Sequence, residues 1–374
     1  MIAGLFRTAA IALWLSWAGA AGAQAWKKNG DRLDFDLARI SVPSSPGVTA
    51  YYETREFSHK GSGLDTAAEF KSPDEAVFAT VYAYLTTLAD PGVAAIATDN
   101  AITANSGGKI ARGPDEVVGA AGRPRSAIET RYGGYRGTLT SRAAFLRADR
   151  WMIKVRVSGP DARGAEVDAT LAAILDGMRL DRPGSVRGAR FIAADACELP
   201  GGAKDAKLLP DSSETIFEDG LTAVLDPLEP LLGKKGSRPI PPRFGDRWCR
   251  ATIALGDARV PVLRALDAEE GSRDADKSVL LIPYSDGGRA LELVRTSRGY
   301  LLLHHDIGEA AVLGTFDAMP SDAQIRGFLG GGGGDAMRVR TRGVLKPNGD
   351  TELTVPPPEE PKPRGGTATK PVAS

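Results

Sequence analysis

Residues suited to soft-metal and thiol chemistry are scarce in this chain, with 2 cysteines and 3 histidines among 374 residues. No C-x-x-C occurs, so a redox-active dithiol or a zinc knuckle has no support. H-E-x-x-H, G-x-S-x-G, a Walker A loop and an EF-hand calcium loop are also missing. An excess of charge of either sign is lacking as well: Lys+Arg and Asp+Glu both number 47. Nothing global therefore draws the chain to nucleic acid or to an anionic bilayer. After the first 25 residues no uncharged apolar run approaches the roughly 20 residues of a spanning helix. What is present is ordinary for a globular protein, 42% hydrophobic and 25% charged. The 44 glycines and 25 prolines point to many turns.

The N-terminus reads as a secretory leader. Met1–Arg7 carries a single cation, Thr8–Ala23 is an uncharged apolar stretch, and Ala23-Gln24-Ala25 supplies a small–x–small cleavage pattern. Ala21-Gly22-Ala23 offers an alternative site two residues earlier, and an uncleaved anchor is the competing reading. Export to the periplasm is expected, with secretion as the alternative. In an oxidising compartment Cys197 and Cys249 are expected to pair as a disulfide, against the alternative of two thiols.

The pattern divides into a leader at 1–25, an α+β domain at 26–182, a β-rich domain at 186–355 and a disordered Pro-rich tail at 356–374. Asp181-Arg182-Pro183-Gly184-Ser185 marks the seam, breaking a helical pattern that ends near Leu180. In the first domain Leu33, Phe35 and Leu37 alternate as a strand would, and Tyr51–Phe57 is another candidate. Val77–Thr87 fits either a strand or one helical face; its Thr, Val and Tyr content favours the strand. Asp90-Pro91 opens a helix over Pro91–Asn105, ended by Gly107-Gly108. Ser126–Tyr132, Gly137–Arg147 and Trp151–Ser158 follow as antiparallel strands, and Asp161–Leu180 as an amphipathic helix. The fold class expected is α+β, with an antiparallel N-terminal sheet packed with helices. In the second domain Ser212–Leu232 is a helix candidate, and a run of strands extends from Trp248 to Phe316 with tight turns between them. A short helix is expected over Pro320–Leu329, then strands Met337–Val344 and Thr351–Val355 about Pro347-Asn348-Gly349-Asp350.

The run Arg150-Trp151-Met152-Ile153-Lys154-Val155-Arg156-Val157-Ser158-Gly159-Pro160, followed by the helix to Leu180, resembles the end of small α+β domains of the PsbP-like kind. It is similar also to uncharacterised exported bacterial proteins. The resemblance spans about a third of the chain and implies a fold without an activity.

Candidate chemistry is thin. His304 and His305 close an apolar strand, but consecutive strand residues point to opposite faces and cannot easily share a metal. Ser106-Gly107-Gly108-Lys109 matches S-x-x-K, yet the glycine pair suits a helix end better. Gly330–Gly334 lies between a helix and a strand, the reverse of the order a phosphate cradle needs. Arg338, Arg340 and Arg342 are two apart, so a strand would line them on one face as a candidate anion-binding surface. The same alternation also describes an ordinary solvated sheet face. No cofactor or metal is expected. The function expected is a non-catalytic, envelope-associated binding protein whose partner is an envelope protein or polymer. A hydrolase working through carboxylates that the sequence does not single out is the alternative.

Overall fold

The computed structural model describes most residues from Trp26 to Val355; the longest omitted stretches inside that span are 220–246 and 267–276. The leader, the tail, the seam at 182–185, most of the Ser212–Leu232 helix candidate and the Pro347-Asn348-Gly349 turn lie outside the described residues.

The expected α+β class is overturned. The chain is mostly β, built on three sheets that are antiparallel except for one pair. The first sheet has four short strands, β1 (Lys27–Asn29), β2 (Arg32–Phe35), β3 (Ile40–Pro43) and β12 (Arg179–Leu180), in that order. The second joins β4 (Ala50–Glu56), β5 (Asp65–Lys71), β6 (Phe78–Leu85), β11 (Trp151–Pro160), β10 (Leu139–Ala148), β9 (Arg123–Tyr135) and β7 (Ala111–Arg112), with β8 (Glu116–Ala120) paired to β9. The third runs in sequence order: β13 (Ala194–Ala196), β14 (Trp248–Leu255), β15 (Ala258–Ala265), β16 (Lys277–Pro283), β17 (Ala290–Arg295), β18 (Tyr300–Asp306), β19 (Glu309–Phe316), β20 (Thr341–Leu345) and β21 (Thr351–Thr354). Among the named strands of the described residues, β13 and β14 are the pair that runs parallel. The α-helices among the described residues are α1 (Pro91–Asn105), α2 (Gly164–Gly177) and α3 (Asp322–Leu329).

The strands that tip the class are those with weak alternation. β5 reads Asp-Thr-Ala-Ala-Glu-Phe-Lys, whose small residues hide its two faces. Its pairing with β6 separates them: Thr66, Ala68 and Phe70 turn to the core, and Asp65, Glu69 and Lys71 to the other side. Val77–Thr87 is resolved as the strand β6, with Ala79, Val81, Ala83 and Leu85 on the core side.

One core lies between the first sheet, α2 and the inner face of the second sheet. Trp26 is fully buried, stacks on Phe35 at 5.2 Å, and Phe35 meets Trp151 edge-on at 5.1 Å. Val167, Leu171, Ile174 and Leu175 are the stripe by which α2 joins them. On the outer face of the same sheet lies α1. The Asp90 carboxylate caps it, accepting from the N–H groups of Gly92 (2.8 Å) and Val93 (3.0 Å), with Pro91 in the first turn. Ala94, Ala95 and Ile102 pack on Ile128, Tyr132, Phe145 and Met152 of the second sheet. Leu88, Val93 and Ile96 pack instead with Val262, Leu263 and Leu280 of the third. A helix wedged between two sheets has no solvent face along most of its length. Its alanine-rich, non-amphipathic composition follows from that position.

Cys197 and Cys249 stand at disulfide distance, with S–S 2.10 Å and Cα atoms 5.6 Å apart. The pair ties the residue after β13 to β14, where Asp195 already lies opposite Cys249.

Candidate functional site

The outer face of the second sheet meets the third sheet along a seam bordered by α1. Gly288 makes the close approach possible. Its φ is +84°, and a Cβ there would stand 2.9 Å from the Tyr84 ring and 3.2 Å from Thr86 Oγ1. Thr86 donates its hydroxyl to the Gly288 carbonyl at 3.2 Å, and Thr86 and Ile307 form a β-bridge. The cleft beneath, lined by Tyr84, Leu88, Val93, Met152, Ser285 and Arg289, has free space of about one water molecule.

Two polar clusters occupy this seam. The first is sealed. Thr87 Oγ1 lies 2.8 Å from His305 Nδ1, and His305 Nε2 lies 2.7 Å from Glu292 Oε2. All three residues are buried. A carboxylate only accepts, so Nε2 donates to it; Nδ1 then faces a hydroxyl able to take either role. The bond pattern is that of a hydroxyl–imidazole–carboxylate relay, but the hydroxyl has no open approach for a substrate. His304 points away from this set, its Nε2 2.6 Å from the Tyr284 hydroxyl. The two imidazoles therefore take opposite faces, and among the described residues no three His, Cys, Asp or Glu side chains gather to hold a metal.

The second cluster is reached by solvent. Lys154 on β11, itself buried, bonds Asp286 at 3.1 Å and lies 4.3 Å over the Tyr82 ring. Asp65 on β5 is close to both, and its burial pushes its carboxyl up to about 6, against the opposing pull of Lys154. Arg289 bonds Asp306 at 2.6 Å. Burial pushes the Tyr284 hydroxyl up to about 12 and holds His304 below its usual value. A carboxyl that titrates near 6 beside an ammonium and a second carboxylate is a group able to give up a proton near neutrality.

Beyond this cluster the outer face of β4, β5 and β6 is left open. Phe78 and Tyr82 sit four residues apart on β6, about 13 Å at strand rise. Phe57 lies 6.2 Å from Tyr82, and Lys71 lies 3.7 Å over the Tyr52 ring near Phe78. Tyr52 and Phe57 are each about half exposed, at 53% and 51%. Between the two aromatic groups Arg55 bridges Glu53 (2.8 Å) and Glu69 (2.9 Å).

The three arginines expected on one strand face are not brought together there. β20 begins at Thr341, so only Arg342 lies in a strand. Arg338 is exposed. Arg340 is buried, bonded to Asp211 at 2.7 Å and to the carbonyls of Leu313 and Arg338. Arg342 faces Glu309 at 3.5 Å. The chain turns through a 3-10 segment at Gly334–Met337 and enters the sheet late. The residues that do converge, Asp65, Thr87, Lys154, Asp286 and Glu292, carried no local pattern. The one usable signal was Lys154, a cation within the apolar run Trp151–Val155.

No helix among the described residues is long and apolar enough to cross a membrane. No family model matches the chain, and no curated protein does. A solved structure from Bacteroides thetaiotaomicron VPI-5482 is similar at 12% identity over 62% of this chain and 84% of that one. Its TM-score of 0.23 carries no argument about fold or function.

Proposed function

We propose that this chain is an exported, envelope-associated binding protein, periplasmic or secreted, that holds a polymer of the cell envelope on the open outer face of β4, β5 and β6. The observation that carries the reading is the pair of aromatic groups, Tyr52 with Phe78 and Phe57 with Tyr82, set about 13 Å apart around the Arg55 ion pairs. Exposed rings flanking polar groups suit a ligand that offers an apolar surface and hydroxyl or amide groups together. The leader pattern and the cysteine pair support export. The test is sedimentation of the purified protein with isolated peptidoglycan sacculi. Binding that is lost in a Phe57→Ala, Phe78→Ala variant of unchanged thermal stability supports the reading, and no sedimentation with sacculi overturns it for that polymer.

A second reading, a hydrolase working through carboxylates, is favoured by one observation, the raised carboxyl of Asp65 beside Lys154 and Asp286. In it Asp65 acts as general acid. Turnover of an envelope glycan or ester that vanishes in Asp65→Asn would favour it over binding alone.

A further inference from the structure

We infer that β4 is a self-complementary edge, and that two copies of this chain pair through it, antiparallel, about a two-fold axis at Thr54. The strands at the other ends of the three strand paths are two to four residues long, whereas β4 has seven. It ends the second sheet's strand path and pairs only with β5 among the described residues. Ala50, Tyr52, Arg55 and Glu56 on it are exposed. A long exposed edge is a template for another strand.

Charge selects both the occupant and the register. In an antiparallel pair, directly opposite residues share a face, and opposite charges there stabilise while like charges repel. Centring the two-fold on Thr54 sets Glu53 opposite Arg55 twice, with no like charges facing. Centring it on Glu53 or on Arg55 sets two like charges face to face. The charges that would repel an unrelated strand thus match a second copy of this one. Arg55 already bridges Glu53 and Glu69, and its five N–H donors leave capacity for the other copy's Glu53. A C2 contact of this kind is isologous and closes at two chains.

The pairing is independent of the ligand reading, because it is read from mass in the absence of any polymer. Sedimentation equilibrium of the full chain over a concentration series should show a monomer–dimer equilibrium. Glu53→Arg leaves two cations on the edge and Arg55→Glu two anions, so each variant alone should weaken dimerisation by about tenfold or more. Mixing the two should restore dimers, because every facing pair is then opposite in sign. In air, Thr54→Cys should cross-link between chains and Glu56→Cys should not. A chain that stays monomeric to millimolar concentration overturns the proposal. So do dimers that neither charge variant weakens, or charge variants that stay monomeric when mixed while circular dichroism shows both folded.

Discussion

Thr87 Oγ1 and His305 Nδ1 lie 2.8 Å apart, although the two residues are 218 positions apart in sequence. The contact joins the second residue past β6 to the end of β18, and Glu292 completes it from β17. Removing one member leaves another buried polar group without its partner. His305→Leu should therefore destabilise by about 3–5 kcal/mol. Combining it with Glu292→Leu should recover part of that loss. Urea unfolding of both single variants and the double gives the coupling; strictly additive losses would mean that the bond at 2.7 Å contributes nothing.

Asp65 should make stability depend on pH. Its folded carboxyl titrates at about 6 against 3.8 for an ordinary aspartate. Below the lower value it is protonated in both states and contributes nothing. As pH rises through this window the unfolded chain releases the proton first, so stability falls, by about 3 kcal/mol once both states are ionised. Asp65→Asn should accordingly stabilise at pH 8 and leave stability nearly unchanged at pH 4. Unfolding free energies at both pH values check this, and an equal effect at both would refute it.

Labelling of free thiols in the unfolded, non-reduced protein should find none. Cys197 and Cys249 are 52 residues apart, so a closed loop of that length removes about 4 kcal/mol of chain entropy from the unfolded state. Reduction, or Cys197→Ala with Cys249→Ala, should lower the denaturant midpoint accordingly. Two reactive thiols in protein isolated without reductant would rule the bond out.

Arg338 and Arg340 should separate cleanly on substitution. Arg340→Ala removes a buried side chain and leaves the Leu313 carbonyl without that donor, at a cost of about 1–3 kcal/mol. Arg338→Ala, at an exposed position, should stay within about 0.5 kcal/mol. Thermal melts of the two variants are the measurement, and equal shifts would contradict the difference in burial.

Local chemistry was legible in the sequence, and long-range assembly was not. Asp90-Pro91 and the residues after Asn105 marked both ends of α1, because caps and breakers act within a turn. Trp151–Ser158 was readable because Ile153, Val155 and Val157 alternate without interruption. Leu33 and Phe35 betrayed β2, but β1, β3, β5, β7 and β12 were too brief or too alanine-rich to show a period, so the share of strand was underread and the class misjudged. The arginine spacing at 338–342 was a correct period-two pattern placed before its strand begins. The seam groups come from β5, the chain after β6, β11, the turn before β17, and β17 and β18, and no spacing along one segment encodes that meeting.

The double burial of α1 bears on how this gene can be cut. A fragment ending at Asp181 retains the helix but discards the sheet that covers Leu88, Val93 and Ile96. That fragment would present an apolar ridge to water beside the Tyr84 and Met152 surface. It should be sticky at expression unless those three positions are made polar.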